Sequence, residues 1–303
     1  MNLIVWLLFI AFVVVMLVLD LTVFHRGSRE IGFREAVAWS AFWISLAAGF
    51  AVLLYFWRGK TTALDFTTGY LIEESLSVDN LFIFLLIFRY FRVPGEYQHK
   101  VLFWGIIGAL VARFVFILAG VALINRFHWI TYVFGAFLVY TGAKLLRSEE
   151  MDVDPENSTL LRWFRKIMPV TDDYVDGKFL VRENGLYATP LLLVLLMIET
   201  TDVLFATDSI PAVLAITRDP FIVFTSNVFA ILGLRSLYFA LAGMMELFHF
   251  LHYGLAVILS FIGMKMLFSN YYHLPTAVAL AVVGGVLAIS VGASLVFPRK
   301  KTA

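Results

Sequence analysis

Two stretches of the chain place acidic side chains inside long apolar segments, at residues 73–80 and 199–209. Charge inside a membrane span is costly and normally faces the bundle interior, so it predicts a functional site. The candidate ligands all carry oxygen donors: Glu73, Asp79, Asn80, Glu199, Asp202, Asp208 and Ser209. None of the six histidines falls in either stretch. Because oxygen donors suit hard cations, the pattern predicts a divalent cation site, with Mn²⁺ or Ca²⁺ ahead of Zn²⁺.

Helical geometry groups these side chains. At about 100° per residue, positions i, i+4 and i+7 share one face. The first face then carries Glu73, Ser77 and Asn80, and the second carries Glu199, Asp202, Ala206 and Ser209. Asp79 and Asp208 lie a third of a turn away on a regular helix. Pro211 and the nearby hydroxyl residues favour local unwinding around Asp208.

The acidic residues have a second interpretation as partners in buried ion pairs. Three basic residues lie inside apolar segments and could compensate their charge: Arg113, Arg235 and Lys265. The acids outnumber these bases, and burying a surplus carboxylate without a counter-ion costs several kcal/mol. The surplus must hold protons or a cation, and metal binding releases ligand protons. These are the two states that a proton-coupled metal carrier alternates between.

The composition identifies the elements that position these residues. The 303-residue chain is 61% hydrophobic and 15% charged, which excludes a soluble globular domain. Its net charge of +1 does not indicate nucleic-acid binding, and the lack of cysteine excludes thiolate metal ligands and disulfides. We expect an all-α polytopic membrane protein with no organic cofactor. Nine apolar segments predict the spans, near 1–24, 36–57, 66–88, 101–124, 128–146, 187–216, 221–243, 247–268 and 275–297.

The distribution of Lys and Arg predicts the orientation. Most of the 23 basic residues fall on one side when the C-terminus is placed in the cytoplasm and the N-terminus outside. The long loop 148–186 is then an acidic cytoplasmic linker, with a short amphipathic helix near its centre. This loop is the expected docking surface for a protein partner.

An internal repeat runs through the middle of the chain. Residues 127–146 and 248–267 match at a constant offset of 121, and SVDN at 77–80 falls opposite ATDS at 206–209. The predicted unit has three spans, the third to fifth and the sixth to eighth. An odd number of spans inverts the second copy, a plan common in secondary transporters. One transmembrane domain then divides into these parts: two peripheral spans in 1–64, repeat 1 in 65–147, the acidic loop 148–186, repeat 2 in 187–270 and a last span at 275–297.

Four segments resemble the TerC family of integral membrane proteins, especially its Alx-like branch. They are GYLIEESLSVDNLFIF (69–84), ATPLLLVLLMIETTDVLFATDSIPA (188–212), TSNVFAILGLRSLYF (225–239) and GLAVILSFIGMKML (254–267). The resemblance implies a bacterial inner-membrane protein of the LysE-like transporter superfamily, with Mn²⁺ export as the expected activity. It also implies acidic ligands at Glu73, Asp79, Glu199, Asp202 and Asp208.

Two other functions compete with a metal exporter. The first is a membrane partner, without transport of its own, that supports metal loading of exported enzymes or regulates other membrane proteins. The second is an intramembrane aspartyl hydrolase using Asp79 and Asp208. A hydrolase of that kind needs a Gly-x-Gly-Asp motif, which the sequence lacks. We therefore expect a non-enzymatic protein whose partners are the lipid bilayer and a divalent cation.

Overall fold

The computed structural model describes residues 3–24, 32–127, 129–147, 164, 167–182, 185–242, 250–269 and 274–296. Each predicted span coincides with a helix in this part of the chain. The helices are α1 (Leu3–Phe24), α2 (Phe33–Arg58), α3 (Lys60–Tyr90), α4 (Gly95–Arg126), α5 (Ile130–Arg147), α6 (Pro190–Leu214), α7 (Pro220–Ala242), α8 (Leu251–Leu267) and α9 (Thr276–Val296). The protein is an all-α polytopic membrane protein, as predicted.

The helix boundaries follow from glycine and proline. Gly59 has φ of 91° and separates α2 from α3 without an intervening loop. Such a backbone conformation is inexpensive for glycine. Pro94 precedes α4, and Pro190 and Pro220 begin α6 and α7, where the missing proline N–H needs no partner. α6 continues through Asp208 and Pro211, so the predicted unwinding near Asp208 is wrong.

Six described helices are long and apolar enough to cross a membrane: α1, α2, α4, α6, α7 and α9. α5 and α8 are apolar but shorter, and α3 contains the first acidic stretch. α7 lies at the centre of the bundle, with 94% of its apolar window buried. α1 and α2 each bury 17% of their apolar window. A membrane helix satisfies its own backbone hydrogen bonds, so such exposed apolar faces suit contact with lipid.

The packing of α5 on α8 has an internal symmetry. A Cβ on Gly142 would lie 2.7 Å from the Ala256 carbonyl oxygen, and one on Gly263 would lie 2.7 Å from that of Gly135. Adding 121 to the α5 residue of each pair gives the α8 residue of the other pair. The two contacts therefore exchange under the predicted repeat offset. This is the packing that an inverted repeat requires, and the repeat itself remains a prediction.

The loop between α5 and α6 is partly described. It contains the antiparallel strands β1 (Leu180–Arg182) and β2 (Leu186–Ala188). Tyr174 donates a 2.8 Å hydrogen bond to the Phe91 carbonyl, and Lys100 donates one of 2.6 Å to the Gly177 carbonyl. Burial raises the pKa of Tyr174 to about 12, so its hydroxyl stays a donor. This part of the loop packs on the bundle, whereas most of the predicted amphipathic helix lies outside the described residues.

Candidate functional site

The predicted face of α3 is buried among its neighbouring helices. Glu73, Ser77 and Asn80 are each at most 2% exposed. The i, i+4, i+7 spacing thus correctly identified one inward-facing row. Asp79 lies in α3, but its side chain is outside what the structure describes.

The face of α6 is buried in part. Asp202, Ala206 and Ser209 are at most 3% exposed, while Glu199 and Asp208 are half-buried. Glu199 lies against Gly108 of α4, where a Cβ would overlap its carboxylate. The absent side chain at position 108 therefore provides the space that Glu199 occupies.

Arg113 of α4 joins the two faces. Its Nε donates to Asp202 Oδ2 at 3.1 Å and its Nη2 donates to Oδ1 at 2.8 Å. Its Nη1 contacts Glu73 Oε1 on the other helix. A two-pronged guanidinium–carboxylate pair is a strong, directional interaction. Arg113, at 1% exposed, is thus shared between the acids of α3 and α6.

The charges in this cluster do not cancel. Glu73 and Asp202 carry two negative charges when ionised, and Arg113 carries one positive charge. Four buried oxygens nearby in sequence have no hydrogen-bond partner within the described part of the chain: Glu73 Oε2, Ser77 Oγ, Asn80 Oδ1 and Ser209 Oγ. Unpaired buried acceptors cost free energy, so these oxygens mark both buried faces as lacking polar partners within the described residues.

The other predicted residues lie in different surroundings. Asp208 Oδ1 accepts a 3.2 Å hydrogen bond from Thr141 Oγ1 of α5. Arg235 pairs with Asp20 of α1 at 2.8 Å. Lys265 is within electrostatic range of Asp65 at the start of α3. Of the three predicted compensating bases, Arg113 is the one seen bridging the candidate ligands.

The described acids do not form a complete metal centre. In the ranges that the structure covers, no group of three or more His, Cys, Asp or Glu side chains is arranged to hold a metal ion. Arg113 lies between Glu73 and Asp202, in the position between carboxylates that a cation would take. In this arrangement the guanidinium of Arg113 supplies the positive charge between the two carboxylates.

Three contributors were not identified from the sequence. Thr141 and Gly108 are ordinary helix residues by type, and their roles depend on which helix packs opposite them. Asp20 had a usable signal, because it is the sole charged residue of α1. A lone carboxylate near the end of an apolar helix predicts a buried partner, here Arg235.

Comparison with known proteins then establishes the family. Residues 58–302 match the model of the integral membrane protein TerC family. The chain belongs to the TerC family. An uncharacterized membrane protein of Myxococcus xanthus is 51% identical over 97% of this chain and 92% of its own length. TerC-family relatives in Salmonella typhi and Escherichia coli K12, named "Putative membrane-bound redox modulator Alx", are 48% identical over 94% of this chain and 92% of theirs. No solved structure gives a significant match.

Proposed function

We propose that this protein is a divalent cation transporter that exports Mn²⁺ from the cytoplasm in exchange for protons. The observation that carries the proposal is the sharing of one guanidinium by Glu73 and Asp202. This cluster is buried between the two acidic helices and has a net negative charge when both carboxylates are ionised. A cation that displaces Arg113 meets carboxylate oxygens from both helices.

The donor chemistry supports a hard or borderline cation. The candidate ligands are carboxylate, amide and hydroxyl oxygens, which favour Mn²⁺, Ca²⁺ and Mg²⁺ over softer metals. Mn²⁺ is the choice that the TerC resemblance implies. Proton exchange is part of the proposal because Arg113 balances one of the two carboxylates when the cation leaves, and the other carboxylate then takes a proton.

The test is transport by purified protein in proteoliposomes under an imposed pH gradient, comparing Mn²⁺, Ca²⁺, Mg²⁺ and Zn²⁺. We expect Mn²⁺ flux, and we expect Asp202→Asn to lower it about 10- to 100-fold, as loss of a group that supports a metal site does. Asp219→Asn is the matched control, because Asp219 pairs with Arg58 at a partly exposed position. Absence of Mn²⁺ flux in the unchanged protein, or equal flux in both variants, would overturn the proposal.

A second candidate is a membrane partner that acts on other proteins without transport. The redox-modulator name of the Alx relatives favours it. This chain has no cysteine, so a redox effect would have to pass through a partner or through metal supply. Deleting residues 148–163, which keeps the part of the loop that packs on the bundle, separates the two candidates, since a transporter keeps its Mn²⁺ flux while a docking protein loses its effect in cells.

A further inference from the structure

The described part of the loop between α5 and α6 connects the ends of the two acidic helices. We call this part, residues 167–182 and 185–189, the strap. Its Tyr174 hydroxyl donates a 2.8 Å hydrogen bond to the carbonyl of Phe91, the residue that caps the end of α3. Its last residue, Thr189, directly precedes α6 and donates a 2.6 Å hydrogen bond to a carbonyl within the strap. The strap therefore links the end of α3 to the start of α6.

Contacts with α4 fix the position of the strap. Lys100 of α4 donates a 2.6 Å hydrogen bond to the Gly177 carbonyl, and its ammonium lies 5.2 Å from the centre of the Phe179 ring. Gly177 has φ of 63°, and a Cβ there would lie 3.0 Å from the Tyr97 ring of α4. Glycine adopts this backbone conformation at low cost and leaves space for the ring. The strap is therefore docked on α4 by specific contacts.

A cavity of about 480 Å³ lies where the strap meets the two acidic helices. Both helices and the strap contribute to its lining, which includes Phe91 at the end of α3, Thr171, Asp172 and Tyr174 of the strap, and Pro190 at the start of α6. The cavity thus lies at one end of the same two helices that carry Glu73 and Asp202.

An apolar layer separates this cavity from the acidic side chains. From Tyr90 at the cavity to Asn80, α3 extends about 15 Å, and from Leu193 to Asp202, α6 extends about 14 Å. Apolar side chains along both stretches are at most 7% exposed and belong to one hydrophobic cluster, which includes Ile83, Phe84, Ile87, Leu193, Val194 and Met197. Packing of this layer closes the route from the cavity to the acids.

We propose that the cavity is the entrance to the cation site on the membrane face where the strap lies, and that the Tyr174–Phe91 hydrogen bond holds this entrance closed. The last carbonyls of a helix have no partner within the helix, so the Tyr174 hydroxyl supplies one to α3. When this bond breaks, the end of α3 can move away from the start of α6, and the apolar layer parts. The inference rests on the proposed function for the role of Glu73 and Asp202 as the cation site.

Cysteine labelling measures this opening without any metal. The chain has no cysteine, so Ser77→Cys places a single thiol on the α3 face that carries Glu73, at a position 1% exposed. Lys178→Cys, at an exposed position of the strap, shows which membrane face the strap occupies. A membrane-impermeant maleimide is applied to each face of membrane vesicles in turn. Adding Tyr174→Phe to Ser77→Cys should raise the labelling rate from the strap face about two- to tenfold, the change in an opening equilibrium that one lost hydrogen bond gives.

Tyr238→Phe is the matched control variant. The Tyr238 hydroxyl of α7 donates a 2.9 Å hydrogen bond to Gln98 Oε1 of α4, so this variant loses the same chemical group outside the strap. It should leave the labelling rate of Ser77→Cys unchanged. Thr68→Cys is a second reporter, 0% exposed and separated from the strap by the acidic stretch of α3. A similar rise in Tyr238→Phe, or at Thr68→Cys in Tyr174→Phe, would indicate general loosening and overturn the proposal.

Gly177→Ala displaces the strap in a different way. Alanine is strained at φ of 63°, and its methyl group would lie 3.0 Å from the Tyr97 ring, so the Ser77→Cys labelling rate should rise from the strap face here too. An unchanged rate in both Tyr174→Phe and Gly177→Ala would contradict the proposal. Mn²⁺ flux is a separate measurement. If labelling responds as expected while flux is absent, the proposed transport function fails and closure by the strap stands.

Discussion

The surroundings of Arg113 and Arg235 differ in their charge balance. Arg113 is shared by Glu73 and Asp202, which leaves one negative charge in excess when both carboxylates are ionised, while Arg235 and Asp20 form a balanced pair. A balanced buried pair needs no external ion. The excess negative charge around Arg113 favours binding of a second cation. This difference in charge balance distinguishes a candidate transport site from a structural ion pair.

The largest expected effect comes from removing the Arg113 guanidinium that Glu73 and Asp202 share. Arg113→Gln leaves two buried carboxylates facing each other, which should lower the free energy of unfolding by about 3–5 kcal/mol. Millimolar Mn²⁺ should restore much of this loss, because the metal takes the place of the guanidinium. Thermal unfolding of the purified protein with and without Mn²⁺ measures both. If Mn²⁺ does not stabilise Arg113→Gln, the proposed difference between the surroundings of Arg113 and those of Arg235 is contradicted.

Arg235→Gln tests the balanced pair and should have a somewhat smaller effect. One carboxylate, Asp20, is left alone, at a cost of about 3 kcal/mol. Mn²⁺ should not restore the lost stability, because a single acid of α1 provides no cation site. The same thermal measurement applies, and stabilisation by Mn²⁺ equal to that of Arg113→Gln would contradict the comparison.

Because α5 and α8 pack closely, a methyl group added at their interface should destabilise the protein. Gly263→Ala places a methyl group 2.7 Å from the Gly135 carbonyl oxygen, which should destabilise the protein by about 1–3 kcal/mol. Gly285→Ala in α9 is the control, since nothing lies within 4 Å of its Cβ position. That control should be neutral or slightly stabilising, given the helix propensity of alanine. Equal stability of the two variants would argue against the symmetric packing.

The smallest expected effect concerns the hydroxyl beside Asp208. Thr141→Val removes the hydrogen bond to the carboxylate while keeping the side-chain shape, which should cost about 1 kcal/mol. Thr141→Ser keeps the hydroxyl and should retain most of the stability. Chemical denaturation of the two variants distinguishes them. A Thr141→Val protein as stable as Thr141→Ser would show that the contact contributes nothing.

The sequence predicted the helices and the inward faces because both depend on local periodicity. The run of apolar residues determines each span, and spacing alone places Glu73, Ser77 and Asn80 on one side of α3. The charge excess was also predictable, since it follows from counting acids and bases within the apolar segments.

Partners across the bundle could not be predicted in the same way. Arg113 meets Asp202 across 89 residues, and Arg235 meets Asp20 across 215. Repeat symmetry alone would have given both arginines the same partners. The difference arises from α1, a helix outside the repeats, and depends on how that helix packs against α7.

A structure of the protein with bound Mn²⁺, located by its anomalous scattering, tests the central claim most directly. We predict Mn²⁺ between α3 and α6 with oxygen ligands from Glu73 and Asp202, and with the Arg113 side chain withdrawn from both carboxylates. Mn²⁺ bound elsewhere, with Arg113 still bridging Glu73 and Asp202, would contradict the claim that this cluster is the transport site.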